Sequence, residues 1–349
     1  MSTPQRALIL GAGQGSRLLP LTEKMPKCLL DLSGRSMLEW QLRGLAENGV
    51  PEVVVVTGFH PELVEAELSR VAPPNMRVRT LYNPFYKLAD NLASCWMARA
   101  ELQGSCLILN GDTLFEPAIA KRLFAAPAAP ITVTIDRKAD YDADDMKVET
   151  QGDRLLAIGK TLAADRVNGE SIGFLRFEAD GAALFVEELE RTMRTPQGPA
   201  LWYLSAINRL ASAGADIRVA SIEGLEWGEL DYPADLVQVR ALASGWIERE
   251  RAAAGGAAAF GGQHRDAVAA GALARVVGEV VPGQRGRRHG VGRDADASSN
   301  GCIDSVPEKV VQRDGQPGRP GIARWRHGDG FARAEHDGAE HASDRLREA

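Results

Sequence analysis

Three glycines at alternate positions, in Gly11-Ala12-Gly13-Gln14-Gly15-Ser16, follow the apolar run Ala7–Leu10, and two cations, Arg17 and Lys27, come soon after. Glycines carry no side chain, so backbone N–H groups there can approach a polyphosphate closely. Arg17 and Lys27 would add positive charge beside it. Phosphoryl and nucleotidyl transfer ask the protein mainly to position groups and neutralise charge. A Walker loop is excluded, because no lysine follows Gly15. A dinucleotide fingerprint fits at Gly11, Gly13 and Ser16, but its second strand should end in an acid, and this one ends Val56-Thr57-Gly58-Phe59. A glycine turn that only tightens a strand–helix joint would leave Arg17 and Lys27 unexplained.

A second chemical candidate is Asp112, after Gly111 at the end of the apolar run Cys106–Asn110. In α/β sheets ligands bind outside the carboxyl ends of the strands. An aspartate there suits Mg²⁺, which takes one or two carboxylates together with phosphate oxygens. Capping of the helix that Pro117 begins is an equal alternative for Asp112. Lys147 suits either a bound phosphate or a solvated strand position. His60 follows a strand as a loop residue, and no Ser/His/Asp or Cys/His arrangement can be assembled around it.

The elements that must position these residues alternate. Strands are predicted over 6–10, 53–57, 77–82, 106–110 and 131–135, with helices over 36–49, 61–70, 90–101 and 117–125. This predicts an α/β doubly wound sheet. Beyond 146 a hairpin (146–149 and 154–158) is expected, then strand 171–177, helices 179–194 and 201–212, strand 217–222 and a last helix over 233–248.

With 349 residues, 44% of them apolar, the chain can build a sizeable core. Its net charge of −6 argues against nucleic acid and against anionic membranes as partners. No run approaches the ~18 apolar residues of a membrane span, so no membrane insertion is expected. Cys28, Cys95, Cys106 and Cys302 show no zinc or disulfide spacing. Free thiols and the absence of a signal-peptide pattern lead to the expectation of a cytoplasmic protein. Oligomeric state is open. Two domains of unlike composition are expected. Residues 1–248 carry the fold, and 249–349 form a low-complexity tail expected to be disordered. Residues 251–349 hold only two leucines, so they can bury little surface against chain entropy. Their Arg/Gly/Ala/His/Asp bias also suggests a frameshifted reading of a GC-rich gene.

On Leu8–Arg17, Pro20, Pro26-Lys27 and Leu29–Leu38, the chain resembles the nucleotidyltransferase family that makes nucleoside-diphosphate sugars and related activated groups. The resemblance covers nearly all of residues 1–248. It implies a Rossmann-like, mixed and mainly parallel sheet with helices on both faces. It also implies Mg²⁺ as cofactor, and an NTP and a small phosphorylated acceptor as substrates. Leu10, Gly11–Ser16 and Gly111 would hold the nucleotide, with Arg17 and Lys27 as catalytic cations. Asn91 and Ser94 would lie against the base. In Asp231–Leu236 an aspartate stands just before a helix, as the family's second metal acid does, so Asp231 would join Asp112. Capping of that helix is the other role open to Asp231.

The segments Tyr82–Tyr86, Asp90–Ser94 and Asp144–Val148 resemble the branch that activates phosphocholine or similar amino-alcohol phosphates with CTP. Lys160 matches a family lysine that contacts the acceptor phosphate. It stands in Gly-Lys-Thr, where sugar-type members have Glu-Lys-Pro, which weakens a hexose-1-phosphate assignment. Trp202, Tyr203, Trp227, Glu229 and Tyr232 are available to a quaternary ammonium, and core packing is the competing role for the aromatics. An aminoalkylphosphonate or inositol phosphate would fit the same scaffold. The rivals are a sugar-1-phosphate acceptor and, in another class, an inert nucleotide-binding regulatory subunit.

Overall fold

The computed structural model describes residues 3–273, with side chains as far as 253. These residues belong to the first of two compact units, Met1–Glu279; the second, Val280–Ala349, lies outside the described residues. The expected tail beyond 273 therefore also lies outside them.

In chain order the strands are β1 (Arg6–Leu10), β2 (Asp31–Leu32), β3 (Arg35–Ser36), β4 (Glu52–Thr57), β5 (Arg77–Tyr82), β6 (Cys106–Asn110), β7 (Thr113–Phe115), β8 (Ile131–Asp136), β9 (Lys147–Gln151), β10 (Arg154–Ile158), β11 (Gly169–Phe177), β12 (Ile217–Ser221) and β13 (Trp227–Glu229). The helices are α1 (Met37–Glu47), α2 (Pro61–Val71), α3 (Asn91–Met97), α4 (Pro117–Ala125), α5 (Ala179–Met193), α6 (Leu204–Ser212) and α7 (Pro233–Leu273).

Nine strands form one sheet in the order β5-β4-β1-β6-β11-β8-β12-β10-β9. Pairing directions leave only β10 and β11 running against the other seven. The sheet is therefore mixed and mainly parallel, as expected.

The uninterrupted apolar runs of β1, β4 and β6 reflect burial on both faces. Leu8, Val54, Val56 and Ile108 point into a core shared with α3, α5 and α6. Their neighbours Ile9, Val53, Val55 and Leu109 point into a core shared with α1, α2 and α4. A third cluster joins Leu18, Leu30, Leu32 and Met37 to Leu230, Leu236, Val239 and Trp246. It ties the segment bearing Arg17 and Lys27 to the start of α7, about 200 positions later in the chain.

Two boundaries differ from expectation. Helix α7 runs past 248 to Leu273, and the alanines that follow Arg251, being strong helix formers, are compatible with that extension. Where one helix was expected over 201–212, a short turn over Gly198–Ala200 precedes α6, so Trp202 and Tyr203 stand before its first turn.

Candidate active site

The loop after β1 is anchored at both ends. The Gly11 N–H donates to the Val56 carbonyl at 3.0 Å, and the Thr22 hydroxyl donates to the Gly15 carbonyl at 2.7 Å. Gly15 has φ 75°, and a Cβ there would press on Lys27 at 3.0 Å, so both backbone and space favour glycine. A Cβ on Gly13 would meet nothing within 4 Å, so that part of the loop faces open space. The loop borders a cavity of about 230 Å³. Of the expected nucleotide contacts, Leu10, Gly11, Ala12, Gly13, Gly15, Asn91, Ser94 and Gly111 line it. Gln14 and Ser16 do not. The Gln14 amide turns to the Thr22 carbonyl at 3.4 Å, and Ser16 opens a short 3₁₀ turn. On the far wall Asn91 accepts from the Tyr203 N–H at 2.8 Å, and Ser94 accepts from the Asn83 amide at 3.0 Å.

Lys27 stands at the mouth of this cavity with its ammonium between two acids, 2.5 Å from Asp112 and 2.8 Å from Asp231. Burial alone would lower the Lys27 pKa, but Asp112 and Asp231 outweigh it and raise the group above an ordinary lysine. The Arg17 guanidinium lies 3.5 Å from Asp231 and 5.3 Å from the Tyr232 ring centre.

Neither aspartate stands at the N-cap position of the helix that follows it. Glu116 occupies the N-cap position of α4. Before α7, the Asp235 carboxylate accepts from the N–H groups of Asp231 and Tyr232 at 2.9 and 2.7 Å. Asp112 and Asp231 are thus free to face Lys27.

A third acid joins them. Strand β13 pairs with β7 so that Glu229 stands opposite Thr113, and the Leu230 N–H donates to the Asp112 carbonyl at 3.1 Å. One carboxylate oxygen each from Asp112, Glu229 and Asp231 lie within 4.8 Å of one another. Glu229 is solvent-exposed, yet desolvation by the protein crowded around it, then the carboxylates of Asp112 and Asp231, push its carboxyl up to about 8. Asp112 Oδ1 is buried and has no hydrogen-bond partner. An orphaned carboxylate oxygen beside two further acids suits a hard divalent cation such as Mg²⁺, which prefers oxygen donors. Neither β7 nor β13 is signalled by the sequence, which is why Glu229 was expected at an acceptor and not among the metal acids.

On the other side of these acids a second cavity, about 530 Å³, is lined by the 136–146 loop, β13 and the start of α7. Its lining holds nine acidic side chains and one lysine, Lys138. Asp231 pairs with Lys27, Asp144 with Lys160, Glu226 with Arg249, and Asp145 and Glu170 with Lys138, and the remaining excess of acids favours a cation. Trp227 lines it and donates its indole N–H to Asp136 at 2.8 Å. Tyr232 also lines it and donates its hydroxyl to Asp144 at 2.8 Å; Lys160 pairs with the same carboxylate at 3.3 Å.

Three expected acceptor contacts stand elsewhere. Tyr203 is fully buried in the core, packed edge-on to Phe185, and cannot meet a ligand. Lys147 is buried, and its ammonium donates to the carbonyls of Asp142, Asp145 and Lys160, so it fastens the 136–146 loop and has no donor to spare for a phosphate. Trp202 lines the glycine-loop cavity with the Lys160 ammonium 4.8 Å from its ring centre. Among the described residues no helix is long and apolar enough to cross a membrane.

Residues 6–146 match the family model described as nucleotidyl transferase. The chain is 34% identical over 244 residues to a CMP-5'-(3-aminopropyl)phosphonate synthase of Streptomyces rubellomurinus; the match covers 67% of this chain and 38% of that protein. This chain thus spans well under half of that relative's length. It is 22% identical to a CTP:phosphoglutamine cytidylyltransferase of Campylobacter jejuni, over 66% of this chain and 97% of the relative. In three dimensions it is similar to an inositol-1-phosphate CTP transferase from T. maritima, with TM-score 0.60 and 22% identity over 70% of this chain and 96% of that one, which shows the fold. By these matches, residues 6–146 carry the sequence of the nucleotidyl transferase family, and the sheet they begin continues beyond them.

Proposed function

We propose that the chain is a nucleotidyltransferase that moves a CMP group from CTP to the phosphate or phosphonate oxygen of a small acceptor with a positively charged head, releasing pyrophosphate. One observation carries this reading. The glycine-loop cavity and the acidic cavity meet at Lys27, Asp112, Glu229 and Asp231, where a nucleotide's α-phosphate and an acceptor's oxygen would come together.

The bond that forms joins the acceptor oxygen to the α-phosphorus. The bond that breaks joins that phosphorus to the bridging oxygen of the β-phosphate, and the electron pair leaves with pyrophosphate. The acceptor oxygen is already anionic, so no general base is required, in keeping with the lack of a histidine here. A divalent cation held by Asp112 and Asp231, with Glu229 beside them, would supply charge neutralisation at the phosphates. Lys27 has three N–H donors, of which two are engaged by Asp112 and Asp231; the third is available to a phosphate oxygen. Arg17, at the other end of the loop, adds a second positive charge.

The acidic cavity favours an acceptor whose far end is an ammonium. It favours a sugar phosphate less, because an uncharged sugar ring gains nothing from the excess of acidic side chains. The aromatic faces of Trp227 and Tyr232 in the same cavity suit such a cation. For the base, Asp90 lines the glycine-loop cavity with a carboxylate that makes no ion pair or side-chain hydrogen bond among the described residues. A carboxylate accepts well from the exocyclic amino group of cytosine and has no such donor to meet in uracil.

The test is a matrix of the four common NTPs against phosphocholine, aminoethylphosphonate, inositol-1-phosphate and glucose-1-phosphate, read as pyrophosphate release. Turnover confined to CTP with the cationic acceptors is expected. Preference for glucose-1-phosphate would overturn the acceptor class, and no turnover with any pair would leave an inert nucleotide-binding protein.

A further inference from the structure

Asp112 stands in the two-residue connection, Gly111-Asp112, between β6 and β7. Such a connection has little stiffness of its own, yet a metal acid must hold its carboxylate within a few tenths of an ångström of a fixed direction. Something else must fix this turn. From below, the Gly111 N–H donates to the Leu10 carbonyl at 3.1 Å, and a Cβ on Gly111 would strike that carbonyl oxygen at 2.6 Å. From the side, the Thr113 hydroxyl donates to the Ile172 carbonyl at 2.9 Å.

The Leu230 N–H also donates to the Asp112 carbonyl at 3.1 Å, and Lys27 pairs with the Asp112 carboxylate; a further contact comes from α1. Gln41, fully buried, donates from one amide nitrogen to the carbonyls of Asn110 at 2.7 Å and Thr113 at 2.9 Å, the residues on either side of Gly111-Asp112. Both acceptors are carbonyls, so the amide orientation is dictated by them. Its own oxygen is left buried without a partner. Packing does not ask for an amide at this place, because the residues flanking Gln41 on the inner side of α1, Leu38, Leu42 and Leu45, are apolar core. A buried polar group with an unmet acceptor is costly unless its other bonds matter.

We propose that Gln41 is a positioning residue for Asp112, its single amide group clamping the turn that aims the acid at the metal and at Lys27. The inference rests on the metal role given to Asp112 above. Groups that orient metal ligands from outside the ligand set are worth roughly 10–100-fold in metal affinity or activity. The same helix contains its own control. Just past the end of α1, at its C-cap, the Asn48 amide bridges the carbonyls of Gly44 and Pro117 at 2.8 and 2.9 Å, a bond pair of the same kind that touches no acid of the site.

The experiment measures Mn²⁺ affinity by calorimetry on the full-length chain, beside kcat, KM for CTP and Tm, in wild type, Gln41→Met and Asn48→Ala. Gln41→Met should weaken Mn²⁺ binding and lower kcat, each roughly tenfold or more, with KM for CTP within about twofold. Asn48→Ala should lose Tm alone. Equal Mn²⁺ affinity in Gln41→Met and wild type would overturn the inference, as would an equal loss in Asn48→Ala. If the Met variant does not fold, Gln41→Glu keeps the length and, as a buried acid, one donor; unweakened Mn²⁺ binding there would overturn it equally. Wild type that binds no Mn²⁺ at all would instead remove the metal role of Asp112, a separate outcome.

Discussion

The two cavities that meet at the acids are built in opposite ways. The glycine-loop cavity is framed by the segments that follow the carboxyl ends of β1, β5 and β6, strands that run parallel in one sheet and so bring those segments to the same edge. The acidic cavity is assembled from a loop over 136–146, residues 170–171, the short antiparallel pair β7/β13 and the first turns of α7. The first is a consequence of sheet topology, and backbone groups line much of it. The second depends on side chains brought together from distant stretches. Backbone that recognises phosphate is indifferent to what the phosphate is attached to, whereas a side-chain pocket can be rewritten one residue at a time. Under the proposed function, the constant half of the reaction would belong to the first cavity and the particular acceptor to the second.

The seam between them offers the largest effects. Asp112→Asn should cut pyrophosphate release by roughly a thousandfold or more while the fold persists, since the proposed metal acid and the closest partner of Lys27 are lost together. Undiminished turnover in that variant would break the reading of the seam. Lys27→Met should cost about 10²–10³ in kcat, the scale of removing one group that stabilises transition-state charge. It also leaves Asp112 and Asp231 facing each other without their cation, so Mg²⁺ should raise the Tm of this variant by more than that of wild type. Equal Mg²⁺ stabilisation of the two proteins would argue that Lys27 does not share a site with the metal.

The contrast also explains what the sequence reveals. The apolar runs at Ala7–Leu10, Val53–Val56 and Cys106–Leu109 are local patterns, so β1, β4 and β6 and the glycine loop that follows β1 are legible from short windows. Asp231 is legible only through resemblance. Its proximity to Lys27 depends on Leu18, Leu30 and Leu32 packing against Leu236 and Val239, a contact between segments that no periodicity connects. The place of Glu229 beside Asp112 and Asp231, and that of Gln41 against the turn that carries Asp112, are not legible for related reasons. Glu229 sits on a three-residue strand with no pattern of its own, and Gln41 is one polar letter in an otherwise amphipathic helix. Tyr203 and Lys147 mislead in the other direction, because residue type does not tell whether a ring faces a cleft or a core, or whether an ammonium meets solvent or backbone carbonyls.

Smaller substitutions can sharpen the division of labour. Trp202→Ala removes an aromatic face from the glycine-loop cavity and should raise KM for CTP about tenfold, the lower range of base stacking on a ring, with the acceptor KM unchanged. Trp227→Leu works on the other cavity and should raise KM for a cationic acceptor several-fold, consistent with about 1 kcal/mol for a cation over an aromatic face. It should leave KM for CTP alone. If either variant moves both constants equally, the two cavities are not separate recognition sites, and the comparison fails.

The smallest expected effect comes from Tyr203→Phe. The hydroxyl is buried without a hydrogen-bond partner, and burial pushes its pKa well above that of an ordinary tyrosine. A buried oxygen with no partner costs stability, so deleting it should leave Tm unchanged or raise it slightly. The ring itself, edge-on to Phe185, remains in place. Neither KM should move, because the residue faces the core and touches the nucleotide side only through its backbone N–H, which Phe retains and which still donates to Asn91. A clear rise in the acceptor KM with Phe at this position would mean that the hydroxyl reaches substrate, and would return Tyr203 to the acceptor side of the molecule.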